Sequence, residues 1–334
     1  MKKAAALLFL FSLAAMAVPA AIVLLFSQNS GRQQPALQAG KALPQAAVEK
    51  DRPPAVTVAV YRSAQGKTDH VALDDYLAGV VASEMPATFH LEALKAQALA
   101  ARTYIIGRII DNPTAAVTDT VQNQVYKSRQ DLEKIWGKDY GRRMAKVEAA
   151  VSQTENEVIT YRGKLITPVF FSTSNGQTEN AADYWTADVP YLRSVPSPWD
   201  KLSPKYKTEK TLAAAEVEHA LHVKPGGGSG ELGKVIRRTA THHIAVYRIA
   251  GRDFTGREIR EKLNLASTDF QLIRNGGRII ATMSGSGHDV GMSQYGADGM
   301  AGEGKNAAQI AAYYYRGTSI SRMTVTADHA VAIN

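Results

Sequence analysis

The sequence predicts an α+β fold of mixed, largely antiparallel strands, with a long Ala-rich helix beside a cleft and a transmembrane helix ahead of the folded body. Three observations carry this reading. Strand-like and helix-like stretches follow one another in irregular order, unlike the repeated alternation of a wound parallel sheet. Residues 91–110 keep apolar and alanine positions at helical spacing until Asp111-Asn112-Pro113 stops them. Asn275-Gly276-Gly277, between two apolar runs, is a hairpin signal.

At the N-terminus, Met1-Lys2-Lys3 precedes an apolar run from Ala4 to Phe26, broken only by Ser12 and Pro19. As a helix this run spans roughly 30 Å of hydrocarbon, and it exceeds the ~7–15 apolar residues of a secretion signal. Lys2 and Lys3 predict a cytoplasmic N-terminus, hence a single pass with an extracytoplasmic body. Small residues between Ala15 and Ala21 leave cleavage open as the alternative. Residues 1–27 are therefore expected to form the anchor, residues 28–54 a flexible Pro-, Gln- and Ala-containing linker, and residues 55–325 the folded domain.

The body opens with an alternating strand, Ala55 to Tyr61. Leu73 to Ser83 carries a helical stripe (Leu73, Tyr76, Leu77, Val80, Val81), and the long helix follows. A short β-like piece is expected at Gln124 to Tyr126, a helix from Asp131 to Gln153, and strands at Val158 to Tyr161 and Leu165 to Ser172. Ser172 to Gly176 is a small-residue loop. A helix over Thr211 to His222 ends at a Pro-Gly-rich break. Strands at Val235 to Thr239 and Ile244 to Ile249, a helix near Gly256 to Leu263, the hairpin, a Gly-rich stretch from Gly285 to Gly296 and a helix over Ala307 to Tyr315 complete the domain.

Composition narrows the function. A net charge of +8 suits an anionic partner, but no basic stripe interleaves with aromatics, which argues against nucleic acid. With no cysteine, neither a disulfide nor a thiolate metal site can form. His219/His222 and His242/His243 lack an evident third ligand, so no metal and no cofactor is expected.

One carboxylate stands out. Glu84 continues the stripe of Leu77 and Val80, so its Cβ points to the buried side, and Met85-Pro86 ends the segment immediately after it. Partial burial raises a carboxyl pKa, as a general acid at neutral pH requires; the same spacing also describes an ordinary helix-terminal Glu. Arg102 can clamp a carboxylate or form a structural ion pair, and Gln97 is a polar residue among alanines. The glycines around His288 and Gln294 let backbone approach a ligand. Ser172 and Ser174 lack the GxSxG elbow of a serine hydrolase.

Six stretches in order, YLAGVVASEMP (Tyr76 to Pro86), EALKAQALAARTY (Glu92 to Tyr104), QVY (Gln124 to Tyr126), FFSTSNGQTEN (Phe170 to Asn180), TGREIREKLNLAST (Thr255 to Thr268) and GHDVGMSQYGADGMA (Gly287 to Ala301), resemble the stage II sporulation protein D family of the SpoIID/LytB group. The resemblance implies a lytic transglycosylase cleaving peptidoglycan glycan strands, stripped of stem peptides, between N-acetylmuramic acid and N-acetylglucosamine during forespore engulfment. It implies Glu84 as catalytic acid and Gln97, Arg102, Tyr126, Ser172, Thr173, Ser174, Asn175, Gly176, His288 and Gln294 as cleft residues. It further implies a place in the mother-cell membrane at the septum, with stage II sporulation protein P, an amidase, and stage II sporulation protein M, a membrane scaffold, as partners. Such an enzyme forms a 1,6-anhydro ring from the sugar's own hydroxyl, so a single carboxylate suffices. A non-catalytic amidase activator and a hydrolytic muramidase are the alternatives. Two departures matter: Asp289 replaces a glycine of the family's GHGVGMSQ, and Val117 and Asn123 stand where some relatives carry metal-binding cysteines.

Overall fold

The structure, a computed structural model, describes residues 56–224, 228–325 and 331–333. The expected anchor and linker lie outside these residues. Nine helices occur among the described residues: α1 (Leu73–Glu84), α2 (Leu91–Asp111), α3 (Arg129–Trp136), α4 (Tyr140–Ser152), α5 (Ala181–Trp185), α6 (Ala214–Leu221), α7 (Gly256–Leu263), α8 (Gln294–Gly302) and α9 (Ala307–Tyr314).

The larger of two cores is built around α2. Ala93, Ala96, Ala98, Ala100 and Ala101 are all buried, together with Leu94, Leu99, Ile105 and Ile106. Burial on every face is what an apolar helix inside a core requires. The small side chains let α1, α4, α8, α9 and the strand Glu157–Tyr161 pack closely against it. That strand pairs antiparallel with Ser319–Val325, which extends the sheet to Val331–Ile333. The hairpin Thr57–Arg62/Lys67–Ala72 leads into α1 and pairs in parallel with Val117–Thr118.

A second core lies between Leu212 and Met283. Here Lys207–Ala213, Arg278–Ser284, Phe270–Asn275 and Gly230–Glu231 form an antiparallel sheet in that order, beside a three-stranded sheet centred on Ile244–Ile249. The expected hairpin pairs Asn275 with Arg278. A short parallel pair, Phe170–Phe171 with Met292–Ser293, joins the middle of the chain to the Gly-rich stretch. The fold is thus α+β with predominantly antiparallel strands.

Several elements differ from expectation, each for a local reason. The single helix expected from Asp131 to Gln153 is α3 and α4, separated by a turn at Gly137, whose φ of +51° breaks the helix while the apolar stripe continues across it. Thr211–Ala213 completes a strand, so α6 starts only at Ala214. Gln124 to Tyr126 is an irregular loop, and Leu165 to Ser172 is extended but paired only at its two ends. Lys67–Ala72 escaped notice because it opens with four polar residues and buries none of its side chains fully.

Arg102 is a structural residue of the larger core. Fully buried, it donates to the carbonyls of Val151 (3.0 Å), Thr154 (2.6 Å) and Glu157 (3.3 Å) and to the Thr154 hydroxyl (3.1 Å). These carbonyls lie at and beyond the end of α4, where a cation also meets the negative end of the helix dipole. Burial lowers the guanidinium pKa to about 10, which leaves it charged at neutral pH. The cleft expectation for Arg102 is therefore replaced by a capping role. Arg102→Met is expected to lower unfolding free energy by about 2–4 kcal/mol, because buried carbonyls lose charged donors; urea denaturation measures it.

Candidate active site

Glu84 is the last residue of α1. Met85 is already extended (φ −119°, ψ 143°), as the residue before a proline prefers. The carboxyl group is half-buried, and its Oε1 accepts the backbone N–H of Val125 at 2.8 Å. Burial pushes its pKa above the ordinary carboxyl range, and the Val125 N–H opposes that shift only in part. No neighbouring carboxylate is needed to explain the shift.

The loop that brings Val125 to Glu84 is fixed from three directions. Tyr76 on α1 stacks on Tyr126 with ring centroids 5.5 Å apart, and its hydroxyl donates to Gln124 Oε1 at 3.1 Å. Asn123 Oδ1 accepts from the Thr118 N–H (2.9 Å) and hydroxyl (3.0 Å), while its Nδ2 donates to the Tyr104 hydroxyl of α2 (2.8 Å). Asn123 is thus a hydrogen-bonded clasp between the strand at Thr118 and α2. Third, the loop lies directly on Gly79: a Cβ there would meet the Tyr126 ring at 2.4 Å and the Lys127 carbonyl at 2.5 Å.

Glu84 opens on a cleft of about 480 Å³. Glu84, Tyr104 and residues 121–124 supply one part of its lining; residues 168–171, Trp185, Arg260, Gly287 and His288 supply the rest. Among the described residues lining it, Glu84 is the only carboxylate. His288 packs beside Trp185, centroids 5.1 Å apart, and Phe171, 5.7 Å apart. Its Nδ1 accepts the Val290 N–H at 3.2 Å. Burial and the Arg260 charge lower its pKa to about 4, so the ring is neutral at physiological pH. Gly287 makes this wall possible, since a Cβ there would sit 2.6 Å from that of Phe171.

Of the residues expected at the site, the structure brings only Glu84 and His288 into this lining. Gln97 and Gln294 meet each other at 3.4 Å, buried where α2 packs on α8. Tyr126 lies behind the Val125 contact, between Tyr76 and the Arg62 guanidinium. Ser172 to Gly176 is a joint between the cores. The Ser172 and Thr173 hydroxyls are 3.4 Å apart, and that of Thr173 meets Ser203 at 2.7 Å. Ser174 donates to buried Asp200, Asn175 Nδ2 to the Thr241 carbonyl (3.0 Å), and Gly176 N–H to the Ser174 hydroxyl (3.1 Å). Sequence reasoning missed Trp185 and Arg260. Both arrive from segments far along the chain, and Arg260 reads as one more charge on a polar helix face.

Asp289, beside His288, is fully buried and has a left-handed backbone (φ +62°). Its Oδ2 meets His243 Nε2 at 2.9 Å, and His243 Nδ1 lies 3.0 Å from Glu179 Oε2. Burial disfavours the charged ring, but two carboxylates outweigh it and raise the His243 pKa to about 10. Glu179 also accepts the Thr239 (2.7 Å) and Thr241 (2.6 Å) hydroxyls, which together with His243 overcome its burial and keep it ionised. Asp289 is the surplus acid, raised by burial, with Oδ1 unpartnered.

Residues 61–161 match the family described as SpoIID: Stage II sporulation protein. The chain is 51% identical over 272 residues to stage II sporulation protein D of Bacillus subtilis (strain 168), across 80% of this chain and 79% of that protein. It is 48% identical over 272 residues, with the same coverage, to stage II sporulation protein D of Bacillus amyloliquefaciens. A Bacillus subtilis (strain 168) protein named amidase enhancer is 28% identical over 301 residues, covering 73% of this chain and 40% of that protein.

Gly79→Ala is expected to destabilise by about 1–3 kcal/mol, since the new methyl must displace the loop carrying Val125; thermal unfolding gives the loss, and the Glu84 pKa, followed by NMR, shifts with it. Asp289→Gly removes the left-handed strain and the surplus acid, and His243 keeps Glu179, but the buried His243 Nε2 loses its 2.9 Å partner. It is expected to lose about 1–3 kcal/mol of stability at pH 7, and an unchanged denaturant midpoint would refute that account.

Proposed function

The chain belongs to the stage II sporulation protein D family of sporulation proteins, and on that premise we propose that it is a peptidoglycan lytic transglycosylase with Glu84 as its acid and base. One observation carries the reading: among the described residues the cleft is lined by a single carboxyl group, whose pKa burial raises and whose one oxygen is fixed by the Val125 N–H. Hydrolytic glycosidases use two carboxyl groups, one to protonate the leaving oxygen and one to activate water or attack the sugar. A lone acid suits a reaction in which the nucleophile belongs to the substrate.

In the proposed reaction the Glu84 carboxyl proton goes to the glycosidic oxygen as the bond from muramoyl C1 to that oxygen breaks. The C6 hydroxyl oxygen then bonds to C1, and its proton passes to the Glu84 carboxylate. The acid is restored, a 1,6-anhydro-muramoyl end and a free N-acetylglucosamine end result, and no water is consumed. Trp185 and Phe170 offer apolar surface for sugar rings, and the neutral His288 ring closes the wall beside them. Attachment to the mother-cell membrane through residues 1–27 and cooperation with stage II sporulation proteins P and M are part of the same proposal.

The full-length protein incubated with stripped glycan strands is expected to release anhydro-muramoyl products, identified by mass spectrometry, and Glu84→Gln to reduce their formation by about 10²–10⁴-fold. Reducing ends instead of anhydro ends would mean hydrolysis. No cleavage, but faster peptide release by an added amidase, would favour the activator reading suggested by the amidase enhancer relative.

Because the acid must carry its proton, the rate is expected to fall as pH rises through the raised Glu84 pKa. Stability follows the same sign. A carboxyl group whose folded pKa exceeds its unfolded one favours folding in acid, and that contribution is lost as pH rises through the folded value. Glu84→Gln is therefore expected to have the higher Tm at pH 7, with the difference shrinking in acid.

A further inference from the structure

Arg260 reaches the cleft from the smaller core, and the residues around it hold it in place without neutralising it. It sits on α7, whose N-terminus is closed by a reciprocal pair: Thr255 N–H donates to Glu258 (2.7 Å) and Glu258 N–H to the Thr255 hydroxyl (3.0 Å). Ile259 and Leu263 anchor the helix in the core. Arg260 Nε donates to the Ala266 carbonyl at 3.3 Å and Nη1 to the Tyr184 hydroxyl at 2.9 Å. These two bonds fix the guanidinium plane with neutral acceptors.

Among the described residues, no carboxylate lies within ion-pairing distance of Arg260. Its neighbours differ: Arg257 pairs with Glu261, Arg248 with Asp253 and Arg238 with Asp269. The charge is nonetheless felt in the cleft, since Arg260 helps depress the basicity of His288 and acts on Asp289. A half-buried cation held only by neutral acceptors is an unfavourable arrangement. An anion brought by the ligand would relieve it, and a guanidinium suits a planar carboxylate best.

We propose that Arg260 binds a carboxylate of the glycan, and that this carboxylate is the lactyl group of the muramoyl residue. The assignment rests on the transglycosylase reading of the same cleft. Chemistry then fixes the substrate class. The lactyl group is a free acid only when no stem peptide is attached; with a peptide it is a neutral amide and offers no charge to Arg260. Selectivity for stripped strands therefore resides in one cation placed in the wall of the cleft.

Binding in the uncleaving Glu84→Gln background of the full-length protein tests this without turnover. The probes are stripped glycan oligomers, the same oligomers with lactyl carboxyls reduced to alcohols, peptide-bearing oligomers, and N-acetylglucosamine oligomers, which have no lactyl group. Arg260→Gln is expected to weaken binding of stripped glycan roughly 10- to 100-fold and to leave the N-acetylglucosamine oligomers unchanged, while Arg260→Lys retains part of the affinity. Carboxyl reduction should cost the parent a similar factor, a comparison that needs no folded Arg260 variant.

Equal weakening for every probe would make Arg260 merely structural and overturn the proposal. So would equal binding of stripped and reduced glycan by the parent, or no binding of any glycan. Tight, Arg260-dependent binding of peptide-bearing glycan would place the carboxylate on the stem peptide and overturn the lactyl assignment. If wild-type protein forms no anhydro product while the binding pattern holds, only the transglycosylase reading falls. If product forms without selectivity for the free carboxyl, only the Arg260 assignment falls.

Discussion

The close approach of one loop to one helix is the constraint on which the site depends. Glu84 is half-withdrawn from water because the chain around Val125 lies against α1, and it can lie there because residue 79 has no side chain. The contact sets two opposing effects on one carboxyl group. Removing water favours the protonated acid, whereas the peptide N–H it brings favours the anion. Burial prevails, but the N–H also orients the group. Tyr76 serves this loop from behind the cleft, while Tyr104 and Asn123 both hold the loop and line the cleft.

Polar contacts join the two cores. Glu179 and Asp289 hold His243 of the smaller core in one buried group, while Ser174, Asp200 and Ser293 form a second buried group outside the smaller core. Asp200 is raised by burial despite the hydroxyls that serve it, and Ser293 in turn receives the Gly296 N–H that starts α8. Such networks are unforgiving of misalignment, because a polar group left unpaired in a low-dielectric interior is costly. The group around His243 ties the smaller core, which carries Arg260, to the chain segments of Glu179 and Asp289.

How much of this was legible in the sequence depends on what each residue interacts with. The half-buried place of Glu84 at the end of α1 could be read because its signal is local: a stripe at helical spacing and a proline two residues on. α2 could be found for the same reason. Arg102 was misplaced because its partners are backbone carbonyls, which leave no mark in a sequence, and its position among alanines suits a cleft wall and a buried cap equally. Ser172 to Gly176 looked like a binding loop because small polar residues serve ligands and tight internal joints alike. Trp185 and Arg260 join Glu84 only through long-range packing, and no periodicity announces that. Asp289 was visible as a departure, but its meaning required His243, 46 residues earlier, to be placed against it.

A lone acid places a geometric demand on the rest of the cleft. In the proposed reaction the proton leaves Glu84 for the glycosidic oxygen and returns from the C6 hydroxyl. With Oε1 engaged by Val125, both transfers fall to the other carboxyl oxygen. The leaving oxygen and the incoming hydroxyl must then reach the same point in succession, without a second residue to share the task. Rigidity in the acid alone would not achieve this, because the sugar could still slide or turn. Two fixed points on the ligand, an aromatic wall under the ring and a charge on its side group, would suffice. Trp185 of the larger core and Arg260 of the smaller have the chemistry and the location to supply them, so the proposed reaction would draw on the smaller core even though it contributes no acid.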